Sequence, residues 1–553
     1  MNPADLGLPP KFAVFRKAQF DTALDICSSD KRFVIVSAPT GSGKSIIYMT
    51  VAQLLQARAM VVTSNKGLQE QLSRDFGTMG LVDVRGQANY RCRVISTEKV
   101  RKGCDEGPCH HGQFCEFHPR AMETGEFVPG CEWFDALARA RKSRLVVTNY
   151  DLWMSVLRYM DPLVLGVFDM LILDEAHDAP DKLSEFCSVT INAEECDEWL
   201  NSGLPPVEDG VESWVSWANF HKPGLQALLE TMRHGGGADA SLRQLQNFTG
   251  RVTFLSQAHG WERADQTEPA VQIAGIQTDW VAERASDGQS VGFSPVWAHR
   301  YAEKFLFGGI KRVVLMSATI MRQTAKYVGI PDDQMQFIEQ VSSFHPERRP
   351  VYSIQTASIG RNSTQADFRA LSTRIDQIIS GRLDRKGIIL TPSYDLAYNL
   401  RMGSGFRSSI RYHRKGVLGL QDIESWRQDR NPSVMISPIL HQGWDFPYEQ
   451  CEYLIIPKVP FVDDRPMVMQ ARKRSDKTYL NYVATLKLQQ QSGRGMRAED
   501  DQCEIFILDD NFSRWFYFAS KKIFSAWFKQ AVKFVDVIPP PLPKLRRQAN
   551  FTH

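Results

Sequence analysis

The run Ala38-Pro39-Thr40-Gly41-Ser42-Gly43-Lys44-Ser45 constrains this chain more than any other stretch. It stands one residue after the apolar segment Phe33-Val34-Ile35-Val36, so a strand, a Gly-rich turn and a helix follow one another. That succession is the setting in which backbone N–H groups gather around phosphate. Gly41 and Gly43 let the backbone fold back, so that successive N–H groups face the α- and β-phosphates of a nucleotide. Lys44 is then expected on the β/γ-phosphates and the Ser45 hydroxyl on Mg²⁺, with the helix starting near Ile46 aiming its positive end at the nucleotide. The first position of the GxxxxGK(S/T) pattern is Ala38 here rather than Gly.

At 553 residues the chain is longer than one core usually holds, and about 150 residues per domain gives three or four domains. A hydrophobic content of 43% against 23% charged residues fits a folded, soluble protein. The net charge of +3 is only mildly basic, so a nucleic-acid surface has to be a local patch. The stretch MNPADLGLPP has neither a basic start nor an apolar core, and no run of about 18 apolar residues occurs. A cytoplasmic location without a membrane partner is expected.

In chain order, Phe15 to Gln19 opens a helix on which Arg16 and Gln19, three apart, share a face; the Gln amide suits an adenine edge and the Arg a phosphate or carboxylate. Ala57 to Thr63 is a strand and Gly67 to Phe76 a helix, an alternation that predicts an open parallel sheet. Five of the ten cysteines then fall in one window: Cys92, Cys104, Cys109, Cys115 and Cys131, with Gly103, Gly107, Pro108 and Gly112 among them. Such a loop-rich insert holds too few apolar residues to fold unaided, and four thiolates suffice for an iron-sulfur cluster or zinc. His110, His111 and His118 keep zinc open as the alternative. Strands follow at Arg144 to Tyr150 and Val167 to Leu173, the second ending in Asp174-Glu175-Ala176-His177. Acidic residues at the carboxyl end of a buried strand stand where an open sheet binds its ligand. Asp174 is expected to hold Mg²⁺ and Glu175 to orient or deprotonate the attacking water.

The phosphate loop, the DEAH run with His177, and Ser317-Ala318-Thr319 resemble the nucleotide-binding and coupling set of superfamily 2 helicases. The cysteine insert, entered through Asn89-Tyr90 and left through Cys131-Glu132-Trp133-Phe134, is similar to that of the XPD/DinG family. Arg16 and Gln19 resemble its adenine-side motif, and Thr148-Asn149-Tyr150 its strand-end motif. The resemblance implies two RecA-like parallel-sheet motor domains, with a cysteine-rich cluster insert and a mostly helical arch-like insert in the first. It implies a 4Fe-4S cluster on four of the five cysteines, with Cys92 and Cys131 as the outer ligands. The family's usual Cys-Pro-Tyr/Phe-Phe is replaced here by Cys131-Glu132-Trp133-Phe134, and a fifth cysteine is present.

The expected boundaries are 1–91, 132–185 and 297–325 for the first motor domain, 92–131 for the cluster domain and 186–296 for the arch-like insert. The second motor domain is expected over 326–537 and a Pro-rich basic tail over 538–553. In the arch region, helical patterns around Pro223 to Met232 and Ser241 to Phe248 flank Gly235-Gly236-Gly237; its tryptophans read as core rather than base-stacking residues. In the second motor domain, Gly443-Trp444-Asp445 resembles the family's Gly-x-Asp motif, which sets Asp445 at the nucleotide. Gln491 to Arg497 resembles its QxxGRxxR. Arg494 and Arg497, three apart on one helix face, can both reach the γ-phosphate across a cleft, and Gln491 the attacking water. Ser513 to Phe534 reads as a basic amphipathic helix packed on the second motor domain.

The expected function is ATP-dependent DNA helicase activity, with single-stranded and forked or tailed duplex DNA as partners and 5′-to-3′ travel implied by resemblance alone. The alternatives are an ATP-driven strand translocase that leaves duplexes paired, and a redox-sensing nucleic-acid-binding module.

Overall fold

The computed structural model describes residues 1–544 apart from 17, 112, 119–128, 161, 208–209, 235–238, 258–279, 343, 361–362, 414, 441–443, 445 and 496–500. Apolar, β-branched runs form the strands of its first sheet: β1 Phe33–Ser37, β2 Ala59–Thr63, β3 Leu81–Asp83, β4 Leu145–Asn149 and β5 Met170–Asp174. All five residues of β1, β2 and β5 are buried, as expected of parallel strands covered by helices on both faces. Strands β6 Val189–Asn192, β7 Trp280–Arg284 and β8 Ser290–Pro295 form a separate antiparallel sheet in the order β6-β8-β7. The chain then returns to the first sheet with β9 Arg312–Ser317 and β10 Met335–Glu339.

The order of the first sheet is β10-β1-β9-β5-β2-β4-β3, all parallel. Ser37 pairs with Ser317 and Asp174 with Met316, so three adjacent strands end together. That carboxyl edge carries the phosphate loop, the Ser-Ala-Thr run and the acidic pair, as open α/β sheets place their ligand sites. Because β10 pairs with β1 from Phe33↔Met335 to Ser37↔Glu339, the first sheet runs past residue 325, the boundary expected from sequence. The helix Arg322–Tyr327 is only the last crossover to that edge strand.

The second sheet holds β11 Val351–Ala357, β12 Gly387–Leu390, β13 Ile410–Tyr412, β14 Val434–Ser437, β15 Tyr453–Ile456, β16 Glu504–Asp509 and β17 Val532–Phe534. Its order is β13-β14-β12-β15-β16-β11-β17, again parallel. β17 corrects the reading of Ser513 to Phe534 as one helix. Short helices at Tyr517–Ser520 and Ala526–Ala531 bury Tyr517 and Phe528, with Phe524 buried between them, after which the β-branched Val532 opens an edge strand on β11. The expected packing against the second domain holds; its single-helix form does not.

The segment expected as a tail is bound through residue 544. Arg382, 1% exposed, pairs with the fully buried Glu504 at 2.7 Å and donates to the Pro539 carbonyl at 3.1 Å. Gln502 donates to the Pro543 carbonyl at 2.8 Å, and Lys544 pairs with Asp384 at 2.7 Å.

In the segment expected as an arch-like insert the helices run Val211–His234 and Asp239–Ser256, longer than the patterns predicted, and pack on each other. The antiparallel sheet makes this insert less purely helical than expected. Trp214 and Trp280 are core residues, with Trp214 4.8 Å from the Phe293 ring. Trp199 and Trp217 pack against the same core. Gly235-Gly236-Gly237 and Trp261 lie outside the described residues. Among those described, no helix is long and apolar enough to cross a membrane.

Candidate active site

The phosphate loop leaves β1 and enters the helix Lys44–Leu54. Gly41 and Gly43 both take φ of 77°, the left-handed region that costs a side-chain-bearing residue most. A Cβ on Gly43 would also collide with the Gln19 amide. Among the described residues, the backbone N–H groups of Gly43, Lys44 and Ser45 take no backbone partner. They are the unsatisfied donors of a helix N-terminus, and this is the donor set a phosphate group fits.

Arg16 and Gln19 hold the loop itself. The Gln19 amide donates to the Ser42 carbonyl at 2.7 Å and accepts from the Arg16 N–H at 2.7 Å, while the Arg16 guanidinium donates to the Gly41 carbonyl. The two residues do not share a helix face as predicted. Ala18 adopts φ 66° and the helix begins only at Gln19, so Arg16 reaches the loop from the preceding segment. Thr40 and Ala38 complete the loop, Ala38 through an N–H donated to the Ser317 carbonyl at 3.0 Å, and Pro39 through a carbonyl that accepts from Ser42.

Across the loop, Lys44 Nζ lies 3.1 Å from Glu175. Glu175 itself takes φ 48°, a strained conformation that follows from leaving β5 and entering a tight turn at once. The Asp174 carboxylate accepts from Tyr48 at 3.3 Å and from the Glu175 N–H at 2.9 Å. Burial first, and the neighbouring Glu175 second, push Asp174 up to about 6, with Lys44 opposing. Burial works the same way on Glu175, but Lys44 and His177 outweigh it and hold this carboxyl well below its usual range. An ionised acceptor therefore stands beside the lysine.

His177 is set between charges. Its Nδ1 lies 2.6 Å from the Ser317 hydroxyl and 3.3 Å from Glu175, and its Nε2 lies 3.0 Å from Asp178. Ser317 in turn donates to Glu175 at 3.1 Å and accepts from the Thr319 N–H at 3.2 Å. Burial disfavours the imidazolium, but Asp178 and Glu175 overcome it and push its pKa up to about 10 from 6.5. Folded-state stability from this charge is complete below pH 6.5 and is lost as pH rises through about 10. The unfolding free energy is expected to fall over that window in the native chain and to lose that component in His177→Gln. Identical pH profiles for the two proteins would contradict the assignment.

The second domain closes on this edge. Gly493 faces Thr40 so closely that a Cβ there would stand 3.0 Å from the Thr40 hydroxyl. Gln490 places its amide group against His177 Nε2, while the neighbouring Gln491, expected at the attacking water, has a buried amide oxygen with no partner among the described residues. The signal was in the spacing: three places before Gly493, the pattern QxxGRxxR starts on Gln490. Arg494 donates to the Trp444 carbonyl at 3.0 Å, and its Nε is buried with no partner among the described residues. Burial lowers its pKa, while Glu175 and Asp178 act to raise it. Arg497 and Asp445 lie outside the described residues. Of the strand-end motif, Asn149 caps the helix Tyr150–Tyr159, Tyr150 donates to the Asp174 carbonyl at 3.4 Å, and Thr148 is buried in β4.

The cysteine insert is drawn together. Cys92, Cys104, Cys115 and Cys131 are buried and Cys109 is partly so. The thiols of Cys104 and Cys131 are 4.0 Å apart, and burial first, with Cys115 among the neighbouring thiols, pushes the Cys109 thiol up to about 12. Among the described residues, no group of three or more His, Cys, Asp or Glu is set as a metal site.

A model of the helicase C-terminal domain matches residues 404–531, and a model of the res subunit of type III restriction enzymes matches residues 13–201. The ATP-dependent DNA helicase YoaA of Haemophilus influenzae is 25% identical over 203 residues, 28% of this chain and 31% of that protein. The Xpd4 structure of S. tokodaii superposes with a TM-score of 0.56 at 12% identity, covering 94% of this chain and all of that one. A second solved XPD helicase gives 0.59 at 13% identity, covering 94% and 99%. Motifs, family matches and fold point the same way: the chain is similar to XPD/DinG-like superfamily 2 helicases and shares the fold of the solved XPD structures.

Proposed function

We propose that this protein hydrolyses ATP between its two sheet domains to move 5′ to 3′ along single-stranded DNA and unwind duplex ahead of it. The observation that carries this reading is the contact of Gly493 with Thr40 and of Gln490 with His177, which sets the end of the helix leading to Arg494 in one domain on the phosphate loop of the other.

On this reading, the phosphates of ATP take the free N–H groups of Gly43, Lys44 and Ser45, and Lys44 exchanges Glu175 for the β/γ-phosphates. Ser45 and Asp174 would hold Mg²⁺, which neutralises charge on the phosphates when bound. Glu175, relieved of Lys44, accepts the proton of the attacking water. Arg494 and Arg497 stabilise charge on the transferred phosphoryl group from the opposite domain, with Asp445 at the same nucleotide. Ser317, hydrogen-bonded to both Glu175 and His177, passes the state of that group through Ala318 and Thr319 toward the second domain. When the γ-phosphate leaves, the bridge between Lys44 and the arginines is lost and the cleft opens. YoaA is named as a DNA helicase, which supports DNA as the strand. A DNA-associated protein of the cytoplasm is the corresponding location.

The soft thiolate set fits iron or zinc, and four of Cys92, Cys104, Cys109, Cys115 and Cys131 would hold a 4Fe-4S cluster as the staple of the insert. Protein purified without oxygen is expected to be brown and to carry about four irons and four acid-labile sulfides per chain. Colourless protein with one or more zinc ions per chain would overturn this assignment. For the motor, hydrolysis of ATP is expected to rise severalfold on adding single-stranded DNA; a rate indifferent to DNA would contradict the reading.

A further inference from the structure

The helix Tyr479–Ser492, which leads to Arg494, is preceded by the helix Met467–Ser475, and one side chain of the latter gathers three parts of the chain. Arg472 is 7% exposed. Its Nε donates to the Val296 carbonyl at 2.7 Å, where the arch-like insert returns to the first domain. One terminal nitrogen donates to the Tyr479 hydroxyl at 2.9 Å, and the other to the Ser184 hydroxyl at 2.7 Å. Ser184 belongs to the helix Ala179–Cys187, which begins just after the Asp174-Glu175-Ala176-His177 run. Asp181 of the same helix lies 3.8 Å from the guanidinium. Trp297 and Tyr479 flank the cation, each ring centroid 5.5 Å away.

Each of the three guanidinium nitrogens donates one hydrogen bond, and each to a different part of the chain. Trp297 stacks on Tyr327 of the first domain at 5.1 Å, and its indole donates to Ser475 at 3.0 Å. One step further along the chain, Asp476 accepts from Lys326 at 2.8 Å and Tyr327 at 2.9 Å, and Tyr482 shares a hydrogen bond of 2.9 Å with Thr324. The start of the helix Tyr479–Ser492 is thus pinned to the first domain, while its end carries Gln490 and leads to Arg494.

We propose that Arg472 is a positioning residue that couples the insert between the acidic pair and the Ser-Ala-Thr run, and the helix after the acidic pair, to the placement of Gln490 and Arg494, so that binding of a strand accelerates hydrolysis. The inference rests on the motor reading above and deepens it. A lysine keeps the charge at this position but cannot make the three-way fork. Arg472→Lys is therefore expected to keep the unstimulated hydrolysis rate and the KM for ATP within about twofold, while the stimulation of kcat by single-stranded DNA falls by about 2- to 30-fold, the range of measured coupling effects. Ser184→Ala removes one arm of the fork without disturbing the arginine's charge, and a smaller loss in the same ratio is expected.

The experiment measures phosphate release with and without a single-stranded oligonucleotide, together with the thermal midpoint, for the native chain and both variants. A purely structural arginine would lower the midpoint and leave the ratio of stimulated to unstimulated rates unchanged in both variants; that result overturns the proposal. If Arg472→Lys fails to fold, the ratio in Ser184→Ala decides on the same terms. A native chain that DNA does not stimulate defeats the motor reading and this inference with it. A stimulated native chain with unaltered variants defeats the inference alone.

Discussion

Glu175→Gln is expected to cut the turnover of ATP by about 10² to 10⁴-fold, the contribution of a positioned general base, while ATP still binds. The amide retains the shape of the side chain and its bond to Ser317, so the link from Ser317 to His177 survives. It loses the charge that Lys44 faces at 3.1 Å, and with it the capacity to take a proton. Affinity for ATP is expected to hold or rise, because Lys44 no longer has a carboxylate to leave before it meets phosphate. Phosphate release under saturating ATP, set beside binding of a fluorescent nucleotide, separates the two quantities. Undiminished turnover would remove Glu175 from the chemistry and leave its strained φ unexplained by function.

Arg494→Ala is the second large effect, a loss of about 10³ to 10⁵ in kcat if the residue acts as an arginine finger. Its setting supports that size. The side chain is partly buried, one terminal nitrogen is held by the Trp444 carbonyl, and its Nε is buried with no partner among the described residues. A desolvated donor of this kind is costly to keep unless a charged acceptor arrives. Arg494→Lys is expected to recover little, since a point charge cannot make the planar, forked contact with phosphoryl oxygens. A drop in kcat below tenfold for Arg494→Ala, with native KM, would place the side chain outside the phosphoryl-transfer step.

The site was legible in the sequence wherever local chemistry dictates one backbone shape. Gly41 and Gly43 take the left-handed φ the phosphate loop requires, and Asp174 ends a fully buried strand, as an apolar run closing on a carboxylate predicts. Contacts made over long distances were less visible. Arg16 and Gln19 fit a helix face in sequence, yet a left-handed Ala18 turns both onto the loop carbonyls. β10 carries only moderate apolar character, and only its pairing with β1 assigns it to the first sheet. Val532–Phe534 continues the amphipathic pattern of the turns before it and becomes a strand because β11 offers an open edge. Gln490 and Gln491 are adjacent identical residues; the packing of their helix decides which of them meets His177. Arg472 carried no motif at all, since its role depends on Val296 and Ser184, which lie 176 and 288 residues away in the chain.

If closure of the two domains on ATP drives strand separation, it is read out directly by displacement of a paired strand. Protein purified without oxygen is given ATP and partial duplexes carrying either a 5′ or a 3′ single-stranded tail, with Glu175→Gln as the inactive control. Displacement of the paired strand from the 5′-tailed substrate alone is the predicted result. ATP hydrolysis that leaves both duplexes paired would contradict unwinding and make the protein a strand translocase, and displacement from the 3′ tail alone would contradict its direction.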